Sequence, residues 1–179
     1  SGPYIYSTLT SGLGNVPITA LDVENSNGER IYFAKRGYAS LSIENSLYTS
    51  SNGGASWQQA NAGLPRNLYP AYIEMNQEDP DQVWVVFSGF DDENKIFGST
   101  NSGSTWINMT YNLPNVPVNC IVYQEDKTKV LYIGTDMGVF YLLPKTTSWV
   151  PYNDELPNVI VSELEIDYTD TSLVAATFG

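Results

Sequence analysis

Apolar residues in this chain gather in short runs divided by polar turns, and the runs recur in a fixed order. A first kind is strand-like: "ITALDV" (18–23), "AYIEM" (71–75), "NCIVY" (119–123) and "SELEI" (162–166). A polar turn follows each one, "NSNGE", "QEDPD", "QEDKTK" or "YTDTS". The second kind is more continuously apolar: "RIYFA", "VWVVF", "VLYIG" and "LVAAT". A third, "SLYTS", "KIFGST" or "GVFYLL", leads into a turn that ends on tryptophan. Runs of this length, rich in β-branched and aromatic residues and bounded by Gly, Pro, Asn and Asp, read as strands. No stretch of useful length carries a helical period. The chain is therefore expected to be all-β.

The order of runs is a repeat. Leu64-Pro65, Leu113-Pro114 and Leu156-Pro157 recur 49 and 43 residues apart, and Trp57, Trp106 and Trp149 recur at the same separations. Leu13-Gly14 is a weaker fourth copy of the first mark. Three strands, a tight turn and a short fourth strand carrying Trp make a four-stranded antiparallel meander. Units of ~40–50 residues with four strands are the signature of propeller blades. The apolar second strands suit positions buried on both faces between neighbouring blades. The expected units are 13–63, 64–112, 113–155 and an incomplete 156–179, about three and a half to four blades within one propeller domain or fragment spanning 1–179. "YIYST" (4–8) reads like the third strand of a preceding blade. Two arrangements follow: part of a larger propeller, which is favoured, or a four-bladed ring whose N-terminal strand completes the last blade. A fragment leaves sheet edges and blade faces that something must cover.

The turns before the tryptophans carry the sharpest local pattern. In "SSNGGASW" the positions are Ser50, Asn52, Gly54, Ser56 and Trp57; in "STNSGSTW" they are Ser99, Asn101, Gly103, Thr105 and Trp106. An Asn side chain accepts hydrogen bonds from turn N–H groups, Gly takes φ > 0, and the hydroxyls tie neighbouring turn atoms together. The indole is expected to fold beneath as a plug. A third copy, "LLPKTTSW", keeps only the Thr/Ser-Trp end at Trp149.

This pattern resembles the Asp-box, Ser/Thr-x-Asp-x-Gly-x-Thr-Trp, of bacterial neuraminidase repeats, with Asn in place of Asp in both copies. The resemblance implies a structural role for the boxes, away from any catalytic centre. Longer phrases, "VWVVFSGFDDENKIFGSTNSGSTW", "LPNVPVNCIVYQEDKTKVLYIGTDMGVFY" and "LPNVIVSELEIDYTDTSLVAATFG", look like the C-terminal propeller repeats of large proteins that Gram-negative bacteria export by type IX secretion. Related repeats occur in xyloglucanase-type glycoside hydrolases, sortilin-type domains and photosystem assembly factors. A secreted or cell-surface bacterial location is what the resemblance implies. It also implies a non-catalytic binding or scaffold module of a larger protein, with part of a glycoside hydrolase and an assembly or chaperone-like factor as alternatives. The expected partners are the rest of a larger polypeptide or other proteins, and a glycan remains open.

Composition narrows the chemistry. The chain has 179 residues, 42% of them hydrophobic, with 8 basic against 20 acidic side chains and a net charge of −12. Such a charge opposes phosphate backbones and anionic membranes, so nucleic-acid binding is excluded as an expectation. No apolar stretch approaches the ~20 residues of a membrane span. Histidine is absent, and the single Cys120 sits in an apolar run, where a buried inert thiol is expected.

A sialidase would need three converging arginines. Arg30, Arg36 and Arg66 are the only ones here, and nothing in their positions points to convergence. Asp91, Asp92, Asp136 and Asp154 are candidates for a carboxylate pair of the glycosidase kind, which sequence cannot assemble. No catalytic residue is assigned and no cofactor is required. The acidic loops "DDEN" (91–94) and "EDPD" (78–81) offer oxygen ligands of the kind Ca²⁺ takes but lack EF-hand spacing, so they read as surface loops. Asn108-Met109-Thr110 matches a glycosylation triplet. Tyr38, Tyr69, Tyr111 and Tyr152 are expected at blade rims, where they keep sugar stacking open.

Overall fold

The computed structural model describes residues 17–37, 44–152 and 158–178. The first sheet comprises β1 (Ile18–Val23), β2 (Ile31–Lys35), β3 (Ser46–Ser50) and β4 (Gln58–Gln59). The second holds β5 (Pro70–Met75), β6 (Val83–Phe87), β7 (Ile96–Ser99) and β8 (Ile107–Asn108). The third holds β9 (Val118–Tyr123), β10 (Leu131–Thr135), β11 (Gly138–Leu142) and β12 (Val150–Tyr152). A hairpin of β13 (Ile160–Asp167) and β14 (Ser172–Phe178) begins a fourth. Within each sheet the strands pair antiparallel in chain order, and β1, β5, β9 and β13 lie side by side. These are propeller blades with their first strands innermost. Leu13-Gly14, "YIYST", Tyr38, Asp154 and Leu156-Pro157 fall outside the described residues.

The core lies between the sheets. Tyr32, Leu47, Ile73, Val83, Val85 and Phe97 fill the space between the first and second blades. Val86, Ile96, Ile121, Ile133, Phe140 and Trp149 fill that between the second and third. Cys120, Val122, Val139, Val161 and Leu164 join the third blade to the hairpin. The continuous apolarity of the second strands follows from this: Val83–Phe87 is buried along its whole length because both faces meet a neighbour.

Every first strand carries the same β-bulge. Thr19, Ala71, Asn119 and Ser162 are skipped in the pairing of β1, β5, β9 and β13 with their partners. A bulge inserts one residue and bends its strand, so a repeated bulge gives the four inner strands one shape.

The tryptophans stand immediately before the fourth strands rather than within them. The second and third indoles turn back toward the preceding blade. Trp106 donates its Nε1–H to the carbonyl of Ala60, and Trp149 donates to that of Met109, both at 2.8 Å. Ala60 and Met109 each directly follow the fourth strand of the blade before. The indole is thus a clamp between blades as well as a plug. Trp149 is 2% exposed, whereas Trp57 and Trp106 are half-buried. Trp57 meets the Phe33 ring edge-on, with centroids 4.6 Å apart.

Gly103 shows how closely blades approach. Its φ is +78°, and a Cβ there would lie 2.7 Å from the Ala60 Cβ. Gly63 has a similar φ of +88° with open space around it. Gly63→Ala is therefore expected to cost about 1 kcal/mol from backbone strain alone. Gly103→Ala should cost clearly more, because strain and collision add. Trp149→Ala should remove about 3–5 kcal/mol by emptying a large buried volume. Urea unfolding of the three variants checks the ranking.

Candidate functional site

The innermost strand of a blade pairs on one side only, so half of its N–H and C=O groups face the axis with no strand to bond. Side chains from the adjacent blade meet them, at fixed distances along the sequence from the bulge. The bulged residue is the first. Thr19 donates its hydroxyl to the Pro70 carbonyl at 2.8 Å, and Asn119 donates its amide to the Val161 carbonyl at 3.1 Å. Three residues further on stands a carboxylate. Asp22 accepts from the Met75 N–H at 2.7 Å, and Glu74 accepts from the Tyr123 N–H at 2.9 Å.

Six residues past the bulge the direction reverses, and a backbone N–H reaches the equivalent side chain of the next blade. Asn25 donates to Gln77 Oε1 at 2.7 Å, Gln77 to Glu125 Oε1 at 2.5 Å, and Glu125 to the Tyr168 hydroxyl at 3.1 Å. Tyr72 adds a further bond, donating its hydroxyl to Glu163 Oε1 at 2.8 Å. These axial groups carry no local sequence signature. The signal lies in register: Asp22 and Glu74 are equivalent only once the bulges are aligned.

Crowding acidic groups along the axis alters their chemistry. Burial, with Asp22, Glu165 and Glu125 nearby, pushes the Glu74 carboxyl up to about 8. Burial pushes Asp22 up to about 6, against the bonds from Met75 and Val23 that lower it. Burial and the Glu163 carboxylate keep the Tyr72 phenol protonated, so it serves as a donor rather than a nucleophile. Among the described residues no three of His, Cys, Asp and Glu gather where a metal ion could be held.

The Ser/Asn/Gly turns are built alike. Asn52 Oδ1 accepts from the Ser50 hydroxyl and the Ser56 N–H, both at 2.9 Å, while its amide donates to the Ser56 hydroxyl at 2.9 Å. Gly54 donates its N–H to the Ser50 hydroxyl at 2.9 Å. Ser99, Asn101, Gly103 and Thr105 repeat every one of these bonds within 0.1 Å. Asn suits both networks because its amide gives a hydrogen to the hydroxyl at the end of the turn; a carboxylate would have to receive one. Two consecutive left-handed residues shape each turn, Gly53-Gly54 and Ser102-Gly103. Ser102, without glycine's freedom, is anchored by its N–H to the Asp81 carbonyl and by its hydroxyl to the Asp81 carboxylate.

The third turn keeps the length and loses the chemistry. Leu142, Pro144 and Thr146 stand where Ser, Asn and Gly stand in the other two. Trp149 nevertheless holds its place, because Asn112 takes both of its backbone groups: Oδ1 accepts the N–H at 2.7 Å and Nδ2 donates to the carbonyl at 3.0 Å. A cavity of about 400 Å³ opens between the second and third blades beside this turn, bordered by Trp84, Ile107, Tyr111, Lys129, Leu143 and Lys145.

Other sequence candidates are dispersed. Arg30 pairs with Asp81 at 2.8 Å, Arg66 with Glu44 at 2.7 Å, and Arg36 lies over the Tyr69 ring, so each arginine serves a different partner. Cys120 is fully buried against Gly134, and burial pushes its thiol up to about 12. Asp91 accepts from the Glu93 and Asn94 N–H groups of its own loop. Asp92 and Asp136 accept from Asn115 and Asn119. Asn108 donates its side-chain amide to the Glu93 carbonyl, and Tyr152 packs edge-on against Tyr132 and Tyr141.

The raised carboxyls make stability depend on pH with a definite sign. Between about pH 4 and pH 8 the folded chain holds protons that the unfolded chain has released, so raising the pH across that window weakens the fold. The expected loss is on the order of several kcal/mol, the larger share from Glu74. Glu74→Gln keeps an oxygen for the Tyr123 N–H and removes the titration, so its stability should stay nearly flat from pH 6 upward. Urea unfolding midpoints from pH 5 to pH 8.5 check this.

No protein-family model matches the chain, and no curated protein does. Similarity appears among solved structures. A GH74 enzyme from Niastella koreensis superposes with a TM-score of 0.67 at 19% identity, over 88% of this chain and 24% of the enzyme. The extracellular domain of the B. thetaiotaomicron protein BT4673 gives 0.60 at 16% identity, over 90% and 20%. YCF48 from Cyanidioschyzon merolae gives 0.58 at 11% identity, over 86% and 48%. The chain spans about a quarter of the length of the GH74 proteins it resembles. At such identities the likeness is one of fold, and the fold is that of β-propeller blades.

Proposed function

We propose that this chain is a non-catalytic binding or scaffold module of a larger secreted or cell-surface bacterial protein, in which further blades continue its propeller. The observation that carries the reading is the open side of β13–β14. Glu165 stands three residues past the Ser162 bulge, where Asp22 and Glu74 take a backbone N–H from the next blade. Among the described residues its carboxylate accepts no hydrogen bond. The Tyr168 N–H, six residues past the bulge, is likewise without an acceptor there. Val174 and Phe178 present exposed apolar surface on the same hairpin, with Phe178 70% exposed. At the other end of the array, Ile18, Leu21 and Val23 of β1 are exposed as well. The hairpin thus carries the features that join blades inside the structure.

An extracellular setting is supported by the neighbour described as an extracellular domain and by the likeness to type IX-exported repeats. The Ser/Asn/Gly turns serve, on this reading, as structural boxes of the neuraminidase-repeat kind. Their side chains bond chiefly to one another within the turn, and the partners the reading implies are further polypeptide, other proteins or a glycan at exposed tyrosines. On the same reading Glu74 is a structural acceptor, largely buried at the blade interface with its Oε1 taking the Tyr123 N–H.

Two measurements test the proposal. The protein is offered xyloglucan, cellulose and sialosides, with reducing sugar and sialic acid release assayed beside glycan-array and pull-down binding. Retention without turnover is expected, and release at enzymatic rates would sink the non-catalytic reading. Hydrogen exchange then compares β13–β14 in residues 1–179 and in the longer polypeptide. Protection should rise by at least about tenfold where further blades cover the hairpin. Equal protection in both overturns the scaffold reading.

A further inference from the structure

The cavity between the second and third blades has a physical origin in the degenerate third turn. Between the first and second blades, Gly103 lies against Ala60 and leaves no room for a Cβ. The third turn places Leu143, Pro144, Lys145 and Thr146 around a space of about 400 Å³ instead. That volume lies within the range of small-molecule sites. Its floor is Trp84, Tyr123, Leu131 and Leu142, continuous with the core, and Met109 packs against that core. Its rim is apolar yet exposed, with Ile107, Tyr111 and Leu143 all open to solvent.

Charge and backbone single out the same place. The chain carries 8 basic and 20 acidic residues. The lining nevertheless contains two lysines, Lys129 and Lys145, and no Asp or Glu. Neither lysine forms an ion pair among the described residues. Five described residues other than glycine have left-handed φ, and three of them line this cavity: Tyr111 at 45°, Lys129 at 52° and Lys145 at 63°. Such positions cost free energy for any residue with a Cβ, and strain of this kind clusters at binding sites. Glycine would relieve it, but lysine supplies charge.

We propose that this cavity binds a small amphiphilic anion, an aromatic or branched aliphatic carboxylate. Its apolar body lies against Trp84 and Tyr111, and its carboxylate is received by Lys129 and Lys145. A single carboxylate suits the site better than a sugar, because the walls are largely apolar and lack acidic acceptors for sugar hydroxyls. The site lies between the second and third blades, apart from the open β13–β14 hairpin, and the proposal does not depend on the docking of further blades.

The test uses 3-phenylpropionate, its neutral amide 3-phenylpropionamide, and glucose, each titrated into the protein while the Trp84 indole N–H resonance is followed. Saturable shifts with the carboxylate are expected, with the amide weaker by about tenfold or more, as loss of a charge-assisted bond to lysine implies. Glucose should give none. Lys129→Gly and Lys145→Gly remove the charges while relaxing the backbone, so each should keep or raise the thermal midpoint and weaken carboxylate binding. No saturable shift with the carboxylate, equal binding of the amide, or unchanged binding by the folded double-glycine variant would each overturn the proposal.

Discussion

An inner propeller strand is paired on one side and faces the axis on the other, and its unpaired N–H and C=O groups cannot be buried without partners. That constraint organises this chain more than any single core contact. The partners come from the neighbouring blade at set positions: a bulged Thr or Asn toward a carbonyl, a carboxylate three residues later toward an N–H, and a polar side chain three residues beyond that. Each bond is worth only about 1 kcal/mol net, but leaving a buried N–H unmet costs more than the bond gains. The polar positions are thus constrained by what they prevent. Apolar packing supplies the attraction between blades, and the polar ladder fixes their register.

The third blade separates two roles that are combined in the second. In the second, the Ser/Asn/Gly network forms the turn while the indole clamps the blade before it. In the third the network is gone, yet Trp149 is the most deeply buried of the three repeat tryptophans and its bond to Met109 is as short. Removing an indole from water is worth about 4–6 kcal/mol as an upper bound, several times the value of any one turn bond. The ring can therefore keep its place provided its backbone is steadied, and Asn112 does that with two bonds. What the network alone supplies is a turn whose Gly103 lies close against Ala60 of the preceding blade. Without it the space stays open.

Much of the blade architecture was legible as spacing. Strand order, the polar turns and the burial of "VWVVF" follow from pattern, because a strand enclosed on both faces has no reason to alternate. The place of the tryptophans was legible only in part. Sequence put them in the fourth strands, whereas the indole must bend back to the preceding blade before that strand begins. The axial carboxylates were not legible as a set. Asp22 and Glu74 look like ordinary polar alternation in "ITALDV" and "AYIEM", and the third blade breaks the series with Val122. The cavity was illegible for a different reason, since it arises from the absence of a glycine in the blade after the one where the rule is learned.

Strongly perturbed carboxyls usually point to catalysis, and Glu74 is perturbed as far as many catalytic acids. Geometry assigns it otherwise. A general acid needs its proton free toward a substrate, whereas Glu74 is one rung of a ladder whose other rungs include an aspartate, a glutamine, a threonine and an asparagine. Side chains as different as these share the work because the demand is for a hydrogen-bonding atom at a given place, not for a given acidity. The shift in Glu74 is the consequence of burying that atom on a carboxyl among other acids. A glutamine in its place would meet the same N–H at any pH, which places the titration of this axis outside the chemistry the fold requires.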